Sequence, residues 1–116
     1  MKSIVTGGAG FIGSHLVDKL LDMEHEVVVL DNFSTGRKEN LNHILEKVRL
    51  VECDLAIKGD WVREFEDSDW VFHLASLADI VPSIQNPESY FRSNVDATFY
   101  VLEAARHAGV KRFVYS

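Results

Sequence analysis

The sequence predicts an open α/β sheet of parallel strands with helices on both faces. Short apolar runs alternate with amphipathic segments along all 116 residues. The connections between these segments are short, which favours parallel strands joined by right-handed crossovers. A glycine-rich turn joins the first apolar run to the first amphipathic segment, as in doubly wound sheets that bind nucleotides. The expected strand order is 3-2-1-4-5.

The individual elements follow from hydrophobic periodicity and from local capping signals. Five strands are expected, near residues 2–6, 26–31, 48–53, 69–74 and 111–116. Four helices are expected, near residues 11–23, 39–46, 59–65 and 87–108. No repeat or linker interrupts this pattern, so the sequence predicts one domain over residues 1–116.

Two of these helices have well-defined signals. The first is predicted to bury a stripe at helical spacing, formed by Ile12, Leu16, Leu20 and Met23. The last begins at a capping residue, Asn86, followed by Pro87 in the first turn. Its apolar face is predicted to contain Phe91, Val95, Phe99, Leu102 and Ala105. Gly109 is placed to end this helix in the left-handed conformation.

Composition and charge argue against several classes of function. The formal net charge of -6 disfavours general binding to nucleic acid or to an anionic membrane. No apolar run approaches the roughly 20 residues that span a bilayer. Lys2 leads directly into the first strand, so no signal peptide is expected. The single cysteine, Cys53, fits a reducing cytoplasm. The five histidines show no paired spacing typical of a metal site.

The glycine-rich turn predicts a phosphate-binding loop. It reads Thr6-Gly7-Gly8-Ala9-Gly10-Phe11-Ile12-Gly13. A strand that enters such a turn and continues as a helix directs backbone N–H groups and the positive end of the helix dipole at one point. The glycines match either of two spacings, one beginning at Gly8 and a wider one beginning at Gly7. A flexible turn without a ligand is the alternative interpretation.

An acidic residue follows the turn at the distance expected for a ribose ligand. Asp31 closes the apolar run 27–30, about 20 residues after the last glycine. A carboxylate there can accept hydrogen bonds from both ribose hydroxyls and would repel a 2′-phosphate. The residue therefore indicates NAD rather than NADP. The alternative is a turn-forming Asp-Asn pair after a strand.

Several ordered motifs together resemble a known superfamily over essentially all 116 residues. Beyond the turn, they are Leu30-Asp31-Asn32-Phe33-Ser34-Thr35-Gly36, Cys53-Asp54-Leu55, His73-Leu74-Ala75-Ser76, Asn94-Val95-Asp96-Ala97-Thr98 and Lys111-Arg112-Phe113-Val114-Tyr115-Ser116. With these motifs the chain resembles the cofactor-binding part of the extended short-chain dehydrogenase/reductase superfamily, in particular its NAD-dependent nucleotide-sugar epimerases and dehydratases. The resemblance implies a Rossmann-type fold with NAD as the cofactor.

The resemblance also implies which residues bind the cofactor. Those at the pyrophosphate would be Gly7, Gly10, Phe11, Ile12 and Gly13. Those around the adenosine ribose would be Asp31, Asn32, Ser34, Thr35 and Gly36. Asp54 would accept a hydrogen bond from the adenine amino group, and Leu55 would pack on the ring. Those at the nicotinamide half would be Leu74, Ala75, Ser76, Asn94 and Ser116. Without the resemblance, Asp54 is a turn residue and Asn94 an amide on a helix surface.

Three positions depart from the family pattern. Ala97 stands where family members often have glycine, and Ala78 where UDP-glucose 4-epimerases can carry a lysine that contacts the cofactor. Glu24 stands where a glycine is common. If Glu24 adopts the left-handed conformation, it costs on the order of 1 kcal/mol.

The family's catalytic pair, Tyr-x-x-x-Lys, is absent from residues 1–116. Tyr90 and Tyr100 are followed four positions later by Asn94 and Ala104. The chain is therefore expected to be the N-terminal, NAD-binding part of a longer enzyme, with no catalytic residue of its own. The implied enzyme is a homodimeric, cytoplasmic 4-epimerase of UDP-sugars. A UDP-glucuronate decarboxylase, a dTDP-sugar 4,6-dehydratase and a non-catalytic NAD-binding module are the alternatives.

Overall fold

The computed structural model describes residues 1–77 and 80–116, with the backbone alone at residues 80–82. Five strands form one sheet: β1 (Lys2–Thr6), β2 (Glu26–Asp31), β3 (Val48–Glu52), β4 (Trp70–His73) and β5 (Arg112–Tyr115). All neighbouring strands are parallel and the order is β3-β2-β1-β4-β5. The predicted fold class and strand order are confirmed. Ala78, the position of the family's occasional lysine, lies outside the described residues.

The helical segments differ in part from the prediction. Helix α1 covers Phe11–Asp22, α2 covers Ile80–Gln85, α3 covers Pro87–Phe91 and α4 covers Ala97–Ala108. The π-helical turn Arg92–Asp96 connects α3 to α4, so the predicted long helix is interrupted. The segments Lys38–Ile44 and Asp60–Phe65 are 3₁₀ helices rather than α-helices, a common form for short connectors.

Helix α2 was not predicted from the sequence, and it contains a proline. A proline inside a helix normally removes a hydrogen bond and breaks the helix. Here Pro82 is the third residue of α2, where the backbone N–H has no partner within the helix in any case. The proline is therefore compatible with this short helix.

Two hydrophobic layers enclose the sheet. One layer lies between the sheet and helix α4, and it includes Ile4, Val28, Val71 and Val101. The other lies on the opposite face with helix α1, and it includes Val5, Val27, Val29, Val17 and Leu20. Successive residues of one strand point to opposite faces, which is why Ile4 and Val5 belong to different layers. The expectation of helices on both faces is confirmed.

The predicted apolar face of the last helix is wrong except at Ala105. Helix α4 buries small residues against the sheet, namely Ala97, Val101, Ala104 and Ala105. Four of the five predicted residues are instead exposed: Phe91, Val95, Phe99 and Leu102. Both stripes have helical spacing, and the smaller side chains allow the helix axis to lie closer to the sheet. We call the exposed stripe of Phe91, Val95, Phe99 and Leu102 the outer stripe.

The stripe predicted for α1 is wrong in part. Ile12 and Met23 are exposed, whereas Gly13, Val17 and Leu20 are buried against the sheet. The residues that follow α1 and α4, at which a left-handed conformation was considered, both adopt it. Gly109 is left-handed with φ of 69°, and Glu24 is also left-handed with φ of 63°, so the strain expected from this departure is present.

Candidate functional site

A groove of about 630 Å³ lies at the C-terminal ends of the central strands. This edge of an open parallel sheet is where such folds bind ligands. Most of the predicted residues line it: Gly7, Gly10, Asp31, Asn32, Ser34, Thr35, Gly36, Asp54, Leu55, Leu74, Ala75 and Ser76. The remaining lining residues, which the sequence did not predict, are Cys53, Leu77, Ser93 and Ala97.

The three glycines of the wider spacing have different roles. Gly7 is left-handed with φ of +71°, and a Cβ there would lie 2.8 Å from the backbone nitrogen of Ala75. A Cβ at Gly13 would overlap the carbonyl oxygen of Gly7. These two glycines are required for packing. Gly10 lines the groove, and the nearest heavy atom to a Cβ there is the Gly7 oxygen at 3.3 Å, so Gly10 keeps space open for a ligand.

The structure favours the wider of the two glycine spacings. Gly8 lies against the sheet, where a Cβ would approach Val29 Cγ1 to 2.6 Å. Gly8 therefore serves the packing of the turn on β2 and does not line the groove. The three positions that shape the turn and the groove beside it are Gly7, Gly10 and Gly13.

Helix α1 begins at the groove, with Gly10 as its N-terminal cap. The side chains of Phe11 and Ile12 are exposed, and the ring of Phe11 contacts the His15 ring edge-on. The N–H groups of a first helical turn have no partner within the helix. Phe11 and Ile12 are thus placed to offer backbone N–H groups to an anion, while their side chains and Gly13 stay outside the groove lining.

Asp31 is buried, and its contacts are compatible with both interpretations made from the sequence. Its Oδ1 accepts a hydrogen bond from the Phe33 backbone N–H at 2.8 Å, which is a turn interaction. Its Oδ2 accepts from the Ala9 backbone N–H at 3.0 Å, inside the glycine turn. The carboxylate also lines the groove. Each carboxylate oxygen has a second lone pair, so Asp31 can accept from a ligand while it holds both loops.

The end of β3 provides one wall of the groove. Asp54 Oδ1 accepts from the Ala56 backbone N–H at 2.9 Å, and Asp54 Oδ2 accepts from Arg92 Nη2 at 2.6 Å. Leu55 is buried beside this carboxylate. Burial raises the pKa of the Cys53 thiol to about 11, so the thiol is protonated at neutral pH and acts as a small apolar wall residue.

The end of β4 is held by a continuous hydrogen-bond chain through His73. Thr6 Oγ1 accepts from the backbone N–H groups of Leu74 and Ala75, each at 3.1 Å. Its hydroxyl therefore donates to His73 Nδ1, at 2.7 Å. His73 Nε2 donates to Thr98 Oγ1 at 2.9 Å, and Thr98 donates to the Asn94 carbonyl at 2.7 Å.

This chain requires a neutral His73 ring. Burial lowers the pKa of His73 to about 4, which agrees with one ring nitrogen accepting and the other donating. The ring orients the Thr6 hydroxyl, which holds the backbone of Leu74 and Ala75 under the groove. Through Thr98 the ring is also connected to the π turn. His73 was named in the sequence only as part of a motif. Its role follows from its contacts in the folded chain.

Asn94 acts through the backbone of a neighbouring loop. Its Oδ1 accepts from the Leu77 N–H at 2.8 Å and its Nδ2 donates to the Leu77 carbonyl at 2.9 Å. The amide is thus occupied in holding the segment that follows the groove lining of β4. Ser116 lies beyond β5, where its N–H donates to the His73 carbonyl at 3.3 Å. Neither Asn94 nor Ser116 lines the groove.

The described residues offer neither a metal-binding cluster nor a membrane-spanning helix. Among residues 1–77 and 80–116, no cluster of three His, Cys, Asp or Glu side chains could hold a metal ion. In the same part of the chain, no helix has the length and apolar character needed to cross a membrane.

Comparison with known proteins agrees with the geometry. The model of the NAD dependent epimerase/dehydratase family matches residues 3–116. The chain belongs to this family. The family is NAD-dependent by its description, which confirms the cofactor expected from the glycine turn and Asp31. The superfamily resemblance of the motifs is confirmed as well.

Relatives of the chain carry out more than one reaction. UDP-glucuronic acid decarboxylase 1 of Arabidopsis thaliana is 42% identical over 96% of this chain. A UDP-glucose 4-epimerase of Thermotoga maritima, solved with UDP-glucose, is 38% identical over 99% of the chain, with a TM-score of 0.92. A UDP-glucose 4-epimerase of Thermus thermophilus, solved with NAD, is 39% identical over 97% of the chain, with a TM-score of 0.88.

The chain spans a limited part of these relatives. It corresponds to 25% of the decarboxylase and to 37% and 36% of the two epimerases. The similarity therefore concerns the region with the groove described above, and the fold of that region is shared in detail.

Proposed function

We propose that this chain is the NAD-binding part of a nucleotide-sugar 4-epimerase that acts on UDP-sugars. The observation that carries the proposal is the groove itself. It combines an open Gly10, the start of helix α1 and the buried Asp31 carboxylate at the C-terminal edge of the sheet. Such a groove fits an anionic pyrophosphate on one side and a ribose diol on the other.

The residues of the chain would bind and orient the cofactor. The first N–H groups of α1 would donate to the pyrophosphate beside Gly10. Asp31 would accept from the adenosine ribose hydroxyls, with Asn32, Ser34, Thr35 and Gly36 around them. Asp54 would accept from the adenine amino group above Leu55. Leu74, Ala75 and Ser76 would support the nicotinamide half. Bound NAD would supply reversible hydride transfer at the sugar C4, with the hydride returned to the opposite face of the sugar.

The proposal assigns no proton transfer to residues 1–116. The base of this family's chemistry belongs to a Tyr-x-x-x-Lys pair, and the sequence contains none. The His73 ring is neutral and holds a hydroxyl on each side, so it is engaged in positioning. We therefore expect the 116-residue chain to bind NAD and to leave UDP-sugars unchanged. We also propose that the protein is located in the cytoplasm.

The outer stripe supports a homodimer of the complete enzyme. Phe91, Phe99 and Leu102 are 59%, 57% and 44% exposed on helices α3 and α4. A row of large apolar side chains of this kind is typical of a surface that another protein chain covers.

A UDP-glucuronate decarboxylase is the second candidate function, because the relative that is 42% identical carries that name. The same NAD groove would serve it. Incubation of the enzyme that contains this chain with UDP-galactose and with UDP-glucuronate separates the two candidates. Conversion of UDP-galactose to UDP-glucose supports the epimerase. Release of carbon dioxide from UDP-glucuronate supports the decarboxylase. A non-catalytic NAD-binding module would bind the cofactor and give neither product.

Cofactor choice tests the binding part of the proposal. We expect the chain to bind NAD more tightly than NADP in calorimetric titrations. Asp31→Asn should weaken NAD binding by about tenfold or more, since a charge-assisted hydrogen bond contributes about 1.5–3 kcal/mol. It should also narrow the preference over NADP, because the charge that repels a 2′-phosphate is lost.

Asp67→Asn is the matched control for this variant. Asp67 is exposed and left-handed with φ of 61°, and asparagine tolerates that conformation. This control should bind both dinucleotides as the unmutated chain does. Equal affinities of the unmutated chain for NAD and NADP would refute the assignment of Asp31.

A further inference from the structure

Arg92 connects the last helical layer to the wall of the groove. It is the first residue of the π turn Arg92–Asp96, and its Nη2 lies 2.6 Å from Asp54 Oδ2. The other oxygen, Asp54 Oδ1, accepts from the Ala56 N–H at 2.9 Å. The carboxylate therefore has one anchor on each oxygen, a backbone group of its own loop and a guanidinium from a distant segment.

The π turn brings several groups to the same groove. Ser93 and Ala97 line the groove, and Asn94 holds the Leu77 backbone through two hydrogen bonds. Arg92 holds the loop after β3, and Asn94 holds the loop after β4. A π turn within a helix often marks a functional site. Here it allows one short segment to hold the loops that end two strands of the sheet.

We infer that Arg92 is a positioning residue that makes the Asp54 carboxylate select a 6-aminopurine over a 6-oxopurine. This inference rests on the proposed function, in which the adenine of NAD lies against Asp54. Adenine presents an amino group that donates to a carboxylate. Hypoxanthine presents a carbonyl oxygen at the same place, so two acceptors would face each other.

The two hydrogen bonds that hold the Asp54 carboxylate determine how much binding affinity is lost through that mismatch. If the carboxylate were free to rotate, it could turn away from the carbonyl oxygen and the penalty would fall. The Arg92 guanidinium holds one oxygen of the carboxylate and resists that rotation, while the Ala56 N–H holds the second oxygen. Arg92 thus does not need to touch the base. It acts through the orientation of Asp54.

The test compares NAD with nicotinamide hypoxanthine dinucleotide. The two cofactors differ on one edge of the purine, where hypoxanthine has a carbonyl at position 6 and a proton on N1. They carry the same phosphates, so the ratio of their dissociation constants cancels general effects of charge. We expect the unmutated chain to prefer NAD by about tenfold or more, because one hydrogen bond to a charged group is lost. Calorimetric titration measures both constants.

Arg92→Met should reduce that preference by about three- to fivefold, which is the size expected for a partly exposed ion pair. Arg92→Lys should retain part of it, since it keeps the charge and loses the planar fork. The matched control is Arg106→Met. Arg106 makes an exposed ion pair with Glu103 within α4, and its removal should leave the preference unchanged. Thermal unfolding of each variant reports whether the fold is retained.

The possible outcomes are distinct. If neither dinucleotide binds the unmutated chain, the proposed NAD site fails. If both bind and Arg92→Met weakens them by the same factor, Arg92 stabilises the loop without selecting the base, and the inference is overturned. A preference that falls with Arg92→Met and persists with Arg106→Met supports the positioning role.

Discussion

The contrast between Gly10 and Gly13 gives a sharp test of the groove. Replacing Gly13 by alanine places a Cβ on the Gly7 carbonyl oxygen and 2.8 Å from Gly8 Cα. These are backbone atoms, so the turn must move. Overpacking of this kind costs about 1–3 kcal/mol, and the better helix propensity of alanine returns less than about 1 kcal/mol. We expect a net loss of about 1–2 kcal/mol.

Gly10→Val should behave in the opposite way. The backbone at Gly10 is extended, with φ of -77° and ψ of 179°, a conformation that other residues adopt. A Cβ there meets the Gly7 oxygen at 3.3 Å, so the unfolding free energy should fall by less than about 1 kcal/mol. The branched side chain would occupy the space of the pyrophosphate. Loss of two charge-assisted hydrogen bonds, about 3–6 kcal/mol, predicts at least about a hundredfold weaker NAD binding.

Circular dichroism during heating and calorimetric titration with NAD measure the two quantities separately. Gly13→Ala should lower the melting temperature by about 4–8 °C. Gly10→Val should keep a melting temperature near that of the unmutated chain and lose NAD binding. If Gly10→Val binds NAD as tightly as the unmutated chain, the glycine turn is structural and the groove is not the pyrophosphate site.

Two further predictions concern stability and association. The pKa of His73 is lowered from its ordinary value to about 4, so the folded state resists protonation. The neutral His73 ring contributes fully to the free energy of unfolding above about pH 6.5. This contribution is lost as the pH falls toward 4, and the loss is about 2–3 kcal/mol at pH 4.5. Between pH 7 and pH 4.5, the free energy of unfolding measured in urea should fall more for the unmutated chain than for His73→Gln. Equal falls would contradict the role assigned to His73. At the sheet edge, Val114 and Tyr115 are 44% and 62% exposed on β5, which favours pairing with a second chain. Val114→Lys should therefore reduce self-association measured by light scattering at high concentration. If self-association is lost in Phe99→Lys and persists in Val114→Lys, the outer stripe and not β5 is the contact surface.

The sequence by itself determined the fold class, the strand order and the cofactor. Buried parallel strands consist of continuous apolar residues such as those at 27–30, and alternation with helical segments restricts the possible topologies. The turn chemistry at 6–13 and the acidic residue Asp31 depend on local spacing, which the sequence shows directly. For the same reason the left-handed conformation of Gly109 was correctly predicted, whereas that of Glu24 was expected only conditionally.

Tertiary structure alone decided which faces are buried and what the polar side chains contact. Two stripes of helical spacing compete on α4, and the smaller one is buried because it fits the sheet, leaving Phe99 and Leu102 outside. The proline in α2 was compatible because of its position in the first turn. Asp54 and Arg92 are 38 residues apart, and Asn94 and Leu77 are 17 apart. Contacts over such separations depend on how the ends of β3 and β4 pack against the π turn. The local sequence does not predict that arrangement.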